Sequence, residues 1–119
     1  MARRCRLATL KGTYLFAYEG FEIKEGDRVP FAVAGREVRD GNGNIKEGVY
    51  SANFNGEIFT NEPFSGEYTV NPDCTGTNTF PDDGSEYDMF IDPDGREFTV
   101  VQTKPKRFVT SWTTKRVED

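Results

Sequence analysis

Hydrophobic and polar positions along the chain alternate with a period of two. Phe64, Tyr68 and Val70 fall on one face of an extended segment while Ser65, Glu67 and Thr69 fall on the other. Tyr14, Phe16 and Tyr18 align in the same way, as do Tyr87, Met89 and Ile91, and Phe108, Thr110, Trp112 and Thr114. No segment carries an apolar stripe at helical spacing. Turn signals divide the extended runs at short intervals: Glu25-Gly26-Asp27, Asp40 to Asn44, Asn55-Gly56, Asn71-Pro72-Asp73, Asp82-Asp83-Gly84 and Asp92-Pro93-Asp94-Gly95. Gly, Asn and Asp accept the positive φ of tight turns, and Pro presets the entry. The pattern predicts strands over Gly12–Glu19, Phe31–Arg39, Asn44–Phe54, Glu57–Thr60, Phe64–Val70, Thr77–Phe80, Tyr87–Ile91, Arg96–Thr103 and Arg107–Arg116.

Eight or nine short strands in 119 residues suit a single all-β domain over residues 1–119. A closed antiparallel barrel of about eight strands is the expected architecture, because closure removes exposed edges. A two-sheet β-sandwich is the alternative. Hydrophobic residues are only 35% of the chain, but aromatics reach 13%, with ten Phe and five Tyr. A few large side chains can therefore build the core, each removing roughly 150–250 Å² from water.

Composition narrows the chemistry. The chain has no His, which excludes the common zinc sites and the Ser-His and Cys-His nucleophilic pairs. Nucleotide-binding glycine motifs are missing too, so no cofactor is expected. The apolar runs are too short to span a bilayer as helices. The first residues, Met1 to Arg6, are basic and lack the apolar stretch of a secretory signal. The formal charge is −5, and its distribution is uneven. From Glu47 to Asp94 there are eleven Asp and Glu and no Lys or Arg, while basic residues gather towards the two ends. The acidic balance and the lack of any known module argue against nucleic-acid binding.

Candidate site residues come from strand parity. Glu37 shares its face with Phe31 and Val33, and Gln102 shares its face with Phe98 and Val100, so both polar groups are expected on an inner wall. Arg36 would need a carboxylate from a neighbouring strand, since an isolated inward charge is too costly. Glu67 and Asp88 are expected outside. Tyr14, Tyr18, Tyr68 and Trp112 join polar tips to apolar bodies and are candidate ligand-binding residues together with Gln102. Glu37 is the candidate general base, because burial raises a carboxylate towards neutral pKa. The Asp40–Asn44 and Asp92–Gly95 segments resemble parts of calcium loops but lack the full ligand set, so both read as hairpin turns and no metal site is expected.

Two segments resemble known families. Phe64 to Thr77, Phe-Ser-Gly-Glu-Tyr-Thr-Val-Asn-Pro-Asp-Cys-Thr-Gly-Thr, resembles a signature of small bacterial β-barrel proteins of undefined function. Matching positions extend to Cys5, Leu10, Gly12, Tyr14 and Phe16, to Val29–Ala32 and to Asp40–Asn44. Gly26-Asp27-Arg28-Val29-Pro30-Phe31 is similar to a segment of allene oxide cyclases. That likeness implies an eight-stranded barrel with a ligand cavity and a homo-oligomer, a trimer, which the separated charges could also support. The cyclase motif itself is not recognisable, so cyclase activity does not carry over. The pattern of the bacterial relatives, with the even cysteine count, implies a disulfide between Cys5 and Cys74 and so a secreted or periplasmic protein. Two functions follow. One is a barrel binding a hydrophobic or aromatic small molecule, or acting on it as a cofactor-independent isomerase or cyclase. The other is a non-catalytic secreted protein-interaction module. A hollow interior with a polar base favours the first, and a solid interior the second.

Overall fold

The computed structural model describes residues 4–117 and shows eight strands in one closed antiparallel ladder. They are β1 (Lys11–Lys24), β2 (Asp27–Asp40), β3 (Asn44–Phe54), β4 (Glu57–Val70), β5 (Thr75–Phe80), β6 (Ser85–Ile91), β7 (Glu97–Lys104) and β8 (Phe108–Arg116). Each strand pairs with the next, and β1 returns to β8 through pairs such as Tyr14↔Arg116 and Gly20↔Thr110. That last ladder makes the molecule a barrel and excludes the sandwich. No helix among the described residues is long and apolar enough to cross a membrane.

Turn chemistry sets the hairpins. Glu25-Gly26 and Asn55-Gly56 both lie at positive φ, the backbone that two-residue hairpin loops need. Asp40 organises its own turn: one carboxylate oxygen accepts the Asn42 and Asn44 backbone N–H groups at 2.8 and 3.0 Å, and the other accepts the Asn44 side-chain amide at 2.9 Å. The Asn44 amide, the backbone N–H groups and Lys46 hold this carboxyl well below the usual carboxylate range. The turn closes on itself, and no cluster of metal-ligating side chains occurs among the described residues.

The two segments predicted as separate strands over 57–60 and 64–70 are one strand, β4. Asn61 at φ 50° forms a bulge, its N–H donating to the Ser51 hydroxyl at 3.0 Å, and the pairing steps from Tyr50↔Glu62 to Ala52↔Phe59. The extra residue shifts the alternation by one, so the sequence pattern reads as a break. A second bulge at Glu47 shifts β3 in the same manner.

The barrel has unlike ends. At one end the 310 turn Leu7–Thr9 and Leu10 form a plug, with Leu10 fully buried. Tyr68 fastens it: its hydroxyl donates to the Leu10 carbonyl at 2.7 Å and accepts the Gly41 N–H at 2.9 Å. The Tyr14 hydroxyl donates to the Gly95 carbonyl across the same end. Cys5 donates its N–H to the Pro72 carbonyl at 3.1 Å and forms the expected disulfide with Cys74. Around the plug, Tyr14, Ile45, Tyr68, Met89, Ile91, Phe98 and Val100 pack as one buried cluster.

The disulfide closes a loop with a sequence separation of 69 residues, for which chain entropy alone predicts stabilisation of about 4 kcal/mol. Thiol titration of denatured, unreduced protein is expected to find no free cysteine. Reduction is expected to lower the melting temperature and expose the plug to proteolysis next to Leu7. Two titratable thiols would contradict the bridge.

Candidate functional site

The plug-side cluster borders a buried charge. Glu37 and Arg39, two apart on β2, share its inward face, with only 4% and 1% of their surfaces exposed. Arg39 Nε donates to Glu37 Oε2 at 2.7 Å, and Nη1 donates to Asn78 Oδ1 on β5 at 2.9 Å. The guanidinium carbon lies 4.3 Å from the Phe98 ring centroid and 4.9 Å from that of Tyr68. Pairing and cation–π contact with two aromatic faces answer a charge that would otherwise be prohibitive to bury. Two groups stay uncommitted: Arg39 Nη2 donates, and Glu37 Oε1 accepts, no hydrogen bond among the described residues.

Above this layer a cavity opens, next to a second buried cluster of Phe31, Val33 and Ala52. A cavity of about 270 Å³ is lined by Glu37, Arg39, Asn78 and Thr114 together with a set of aromatic rings. Six of those rings form an unbroken circuit of neighbours. Centroid distances run from Tyr18 to Trp112 (3.8 Å), Tyr87 (5.3 Å), Phe80 (5.6 Å), Phe64 (5.9 Å), Phe16 (5.8 Å) and back to Tyr18 (6.0 Å). The Tyr18–Trp112 pair is stacked, and most of the others meet edge to face. The Trp112 indole N–H is fixed by donation to the Thr114 hydroxyl at 3.1 Å.

Glycines let this girdle lie against the wall. Phe16 and Phe64 belong to β1 and β4 yet touch across the two strands between them. A Cβ at Gly35 on β2 would sit 2.6 Å from the Phe16 ring, and one at Gly48 on β3 would sit 2.6 Å from the Phe64 ring. A larger residue at Gly48 would push the Phe64 ring aside, and one at Gly35 would strike the Val49 carbonyl as well as the Phe16 ring. The exposed lining residues Pro63, Ser65, Asp82 and Asp83 lie on β4 and the β5–β6 turn and mark the mouth. Burial raises the Tyr18 hydroxyl far above its usual value, with smaller contributions from Tyr87, Asp83, Tyr50 and Glu37. Burial likewise pushes Tyr87 up to about 12, partly opposed by Ser85. Both phenols are neutral donors at physiological pH.

The structure brings together Glu37, Tyr18 and Trp112 from the sequence-predicted set. It places Tyr14 and Tyr68 in the plug-side cluster, where their hydroxyls are engaged by the plug and its neighbouring turns. Gln102 is half-buried near the end of β7, does not line the cavity, and donates its amide to the Lys104 carbonyl at 2.9 Å. Arg36 is exposed, because it has the opposite parity to Glu37; the inward arginine is Arg39. Glu67 and Asp88 are exposed, as expected. Sequence reasoning missed Arg39, Asn78 and the ring circuit. Parity with Glu37 could have found Arg39, whereas the circuit depends on which strands oppose one another.

No family model matches the chain, and no curated protein matches it. One solved structure, described as a redesigned beta barrel, is similar over 99% of this chain and 98% of its own, at 18% identity and a TM-score of 0.49. The barrel assignment rests on the strand ladder itself.

The Glu37–Arg39 pair yields a double-mutant test. Glu37→Leu or Arg39→Met alone is expected to destabilise the fold by about 3–5 kcal/mol, because each strands a buried charge. The double variant is expected to be more stable than either single variant. Denaturant unfolding reads all four proteins, and additive losses would show that the two side chains act independently.

Proposed function

We propose that this barrel binds a small, flat, apolar or aromatic molecule in its open half, with a polar end directed at the Arg39–Glu37–Asn78 floor. The observation that carries this reading is a cavity walled by six aromatic rings above a buried, partly uncommitted polar cluster. Small-molecule sites share that make-up, a mostly apolar lining with a few fixed polar groups. At about 270 Å³ the space lies at the lower end of the roughly 300–1,000 Å³ range of such sites. It suits one or two fused rings rather than a long lipid chain. A purely structural barrel would gain by filling this space, since empty volume forfeits packing contacts.

Turnover is the finer part of the proposal. An isomerase or cyclase acting without a cofactor would use Glu37 as base, through the oxygen that Arg39 leaves free. The interaction-module reading has less support, because the interior holds a cavity. The same reading takes in kinship with bacterial barrels and allene oxide cyclases, a trimeric assembly and a secreted location. The disulfide fits an oxidising compartment.

Trp112 is the only Trp in the chain and stands in the cavity wall, so a bound aromatic ligand is expected to quench or shift its emission. A panel of small aromatic and fatty ligands, followed by emission and thermal shift, is expected to yield hits among one- and two-ring compounds. Val33→Phe, which places a ring in the cavity, is expected to abolish the response while leaving the fold intact. No hit in the panel would overturn the reading and favour the interaction module.

A further inference from the structure

The charges around the cavity do not cancel. Its lining contains four charged side chains: Glu37 and Arg39, which neutralise each other at the floor, and Asp82 and Asp83, which stand at the mouth. Asp83 uses one oxygen to hold its turn, accepting the Ser85 N–H at 2.9 Å and the Ser85 hydroxyl at 2.7 Å. Its other oxygen, and both of Asp82, have no hydrogen bond or ion pair among the described residues. Both side chains belong to the chain's acidic stretch, which has no Lys or Arg between Glu47 and Asp94. Nearby, the Tyr50 hydroxyl is raised by burial and further by the charges of Glu62 and Asp83.

Beneath the mouth, the ring circuit adds a second attraction of the same sign. Aromatic faces carry negative electrostatic potential and attract organic cations, more strongly once solvent is displaced. The floor has the opposite preference. Arg39 Nη2 has two N–H groups to give, and Asn78 has engaged only its oxygen. With Glu37 Oε1 also free, a phenol hydroxyl, which accepts from Arg39 or Asn78 and donates to Glu37, fits there.

Resting on the ligand-binding reading above, we propose that the cavity selects a small aromatic amine in its protonated form. The ring sits within the girdle of Tyr18, Phe64, Tyr87 and Trp112, and a ring oxygen meets Arg39 and Asn78. The ammonium group lies at the mouth against Asp82 and Asp83. An acidic mouth also raises the local concentration of a cationic ligand and hastens its entry, an effect that salt removes.

Three probes of one shape test this: tyramine, 4-ethylphenol and 4-hydroxyphenylacetate carry a positive, a neutral and a negative tail on the same phenol. In calorimetric titrations at low salt, tyramine is expected to bind about fivefold or more tighter than 4-ethylphenol, with 4-hydroxyphenylacetate the weakest. Added salt is expected to shrink the difference. Asp82→Asn with Asp83→Asn, which keeps the acceptor for Ser85, is expected to bring tyramine down towards the neutral probe. Equal or tighter binding of 4-ethylphenol overturns the charge selection and leaves the aromatic site standing. So does failure of all three probes while another neutral aromatic still shifts Trp112 emission. If no ligand of any charge binds, the ligand-binding reading falls as well.

Discussion

A guanidinium with 1% of its surface exposed needs compensation for its lost hydration, and Arg39 has most of it. Glu37 neutralises it, Asn78 orients it, and the rings of Phe98 and Tyr68 flank it. The two halves of the barrel meet at this layer. Below it, aliphatic and aromatic side chains form one buried cluster against the plug. Above it, continuous apolar packing would bury the uncommitted atoms of the ion pair, Nη2 and Oε1, without partners, at a cost of about 1–3 kcal/mol or more for each. A polar layer that cannot be covered with hydrocarbon is thus a physical reason for the open half to stay open.

Aromatic residues keep that space from collapsing. Six rings braced against one another, two of them seated over Gly35 and Gly48, form a wall that long aliphatic chains would not hold so rigidly. The disulfide and the plug secure the far end. The exposed part of the cavity lining carries Asp82 and Asp83, so the mouth is acidic.

Much of the fold is legible in the sequence, because a period of two needs only neighbouring residues to be seen. The turns at Asn55-Gly56 and Asp40–Asn44 carry their own backbone chemistry, and the inward faces of β1, β6 and β8 follow from Tyr14, Tyr87 and Trp112. Strand number is less legible, since the bulge at Asn61 interrupts the alternation that defines β4. The site was legible only in part. Glu37 and Trp112 follow from parity, but parity shows the face and not the height along the barrel. Tyr14, Tyr68 and Gln102 therefore carry the right composition at the wrong level. The circuit joining Phe16 to Phe64 passes over two glycines and appears only once the strands are laid side by side.

On the proposed reading, ligand enters the barrel above Arg39 and not the packed half below it. Intermolecular nuclear Overhauser effects from a bound one-ring or two-ring aromatic ligand test it most directly. Contacts are expected from ligand protons to the rings of Trp112, Tyr87 and Phe64, and none to Leu10, Tyr14 or Ile45. Contacts confined to the outer surface, or reaching Leu10 and Tyr14, would contradict it.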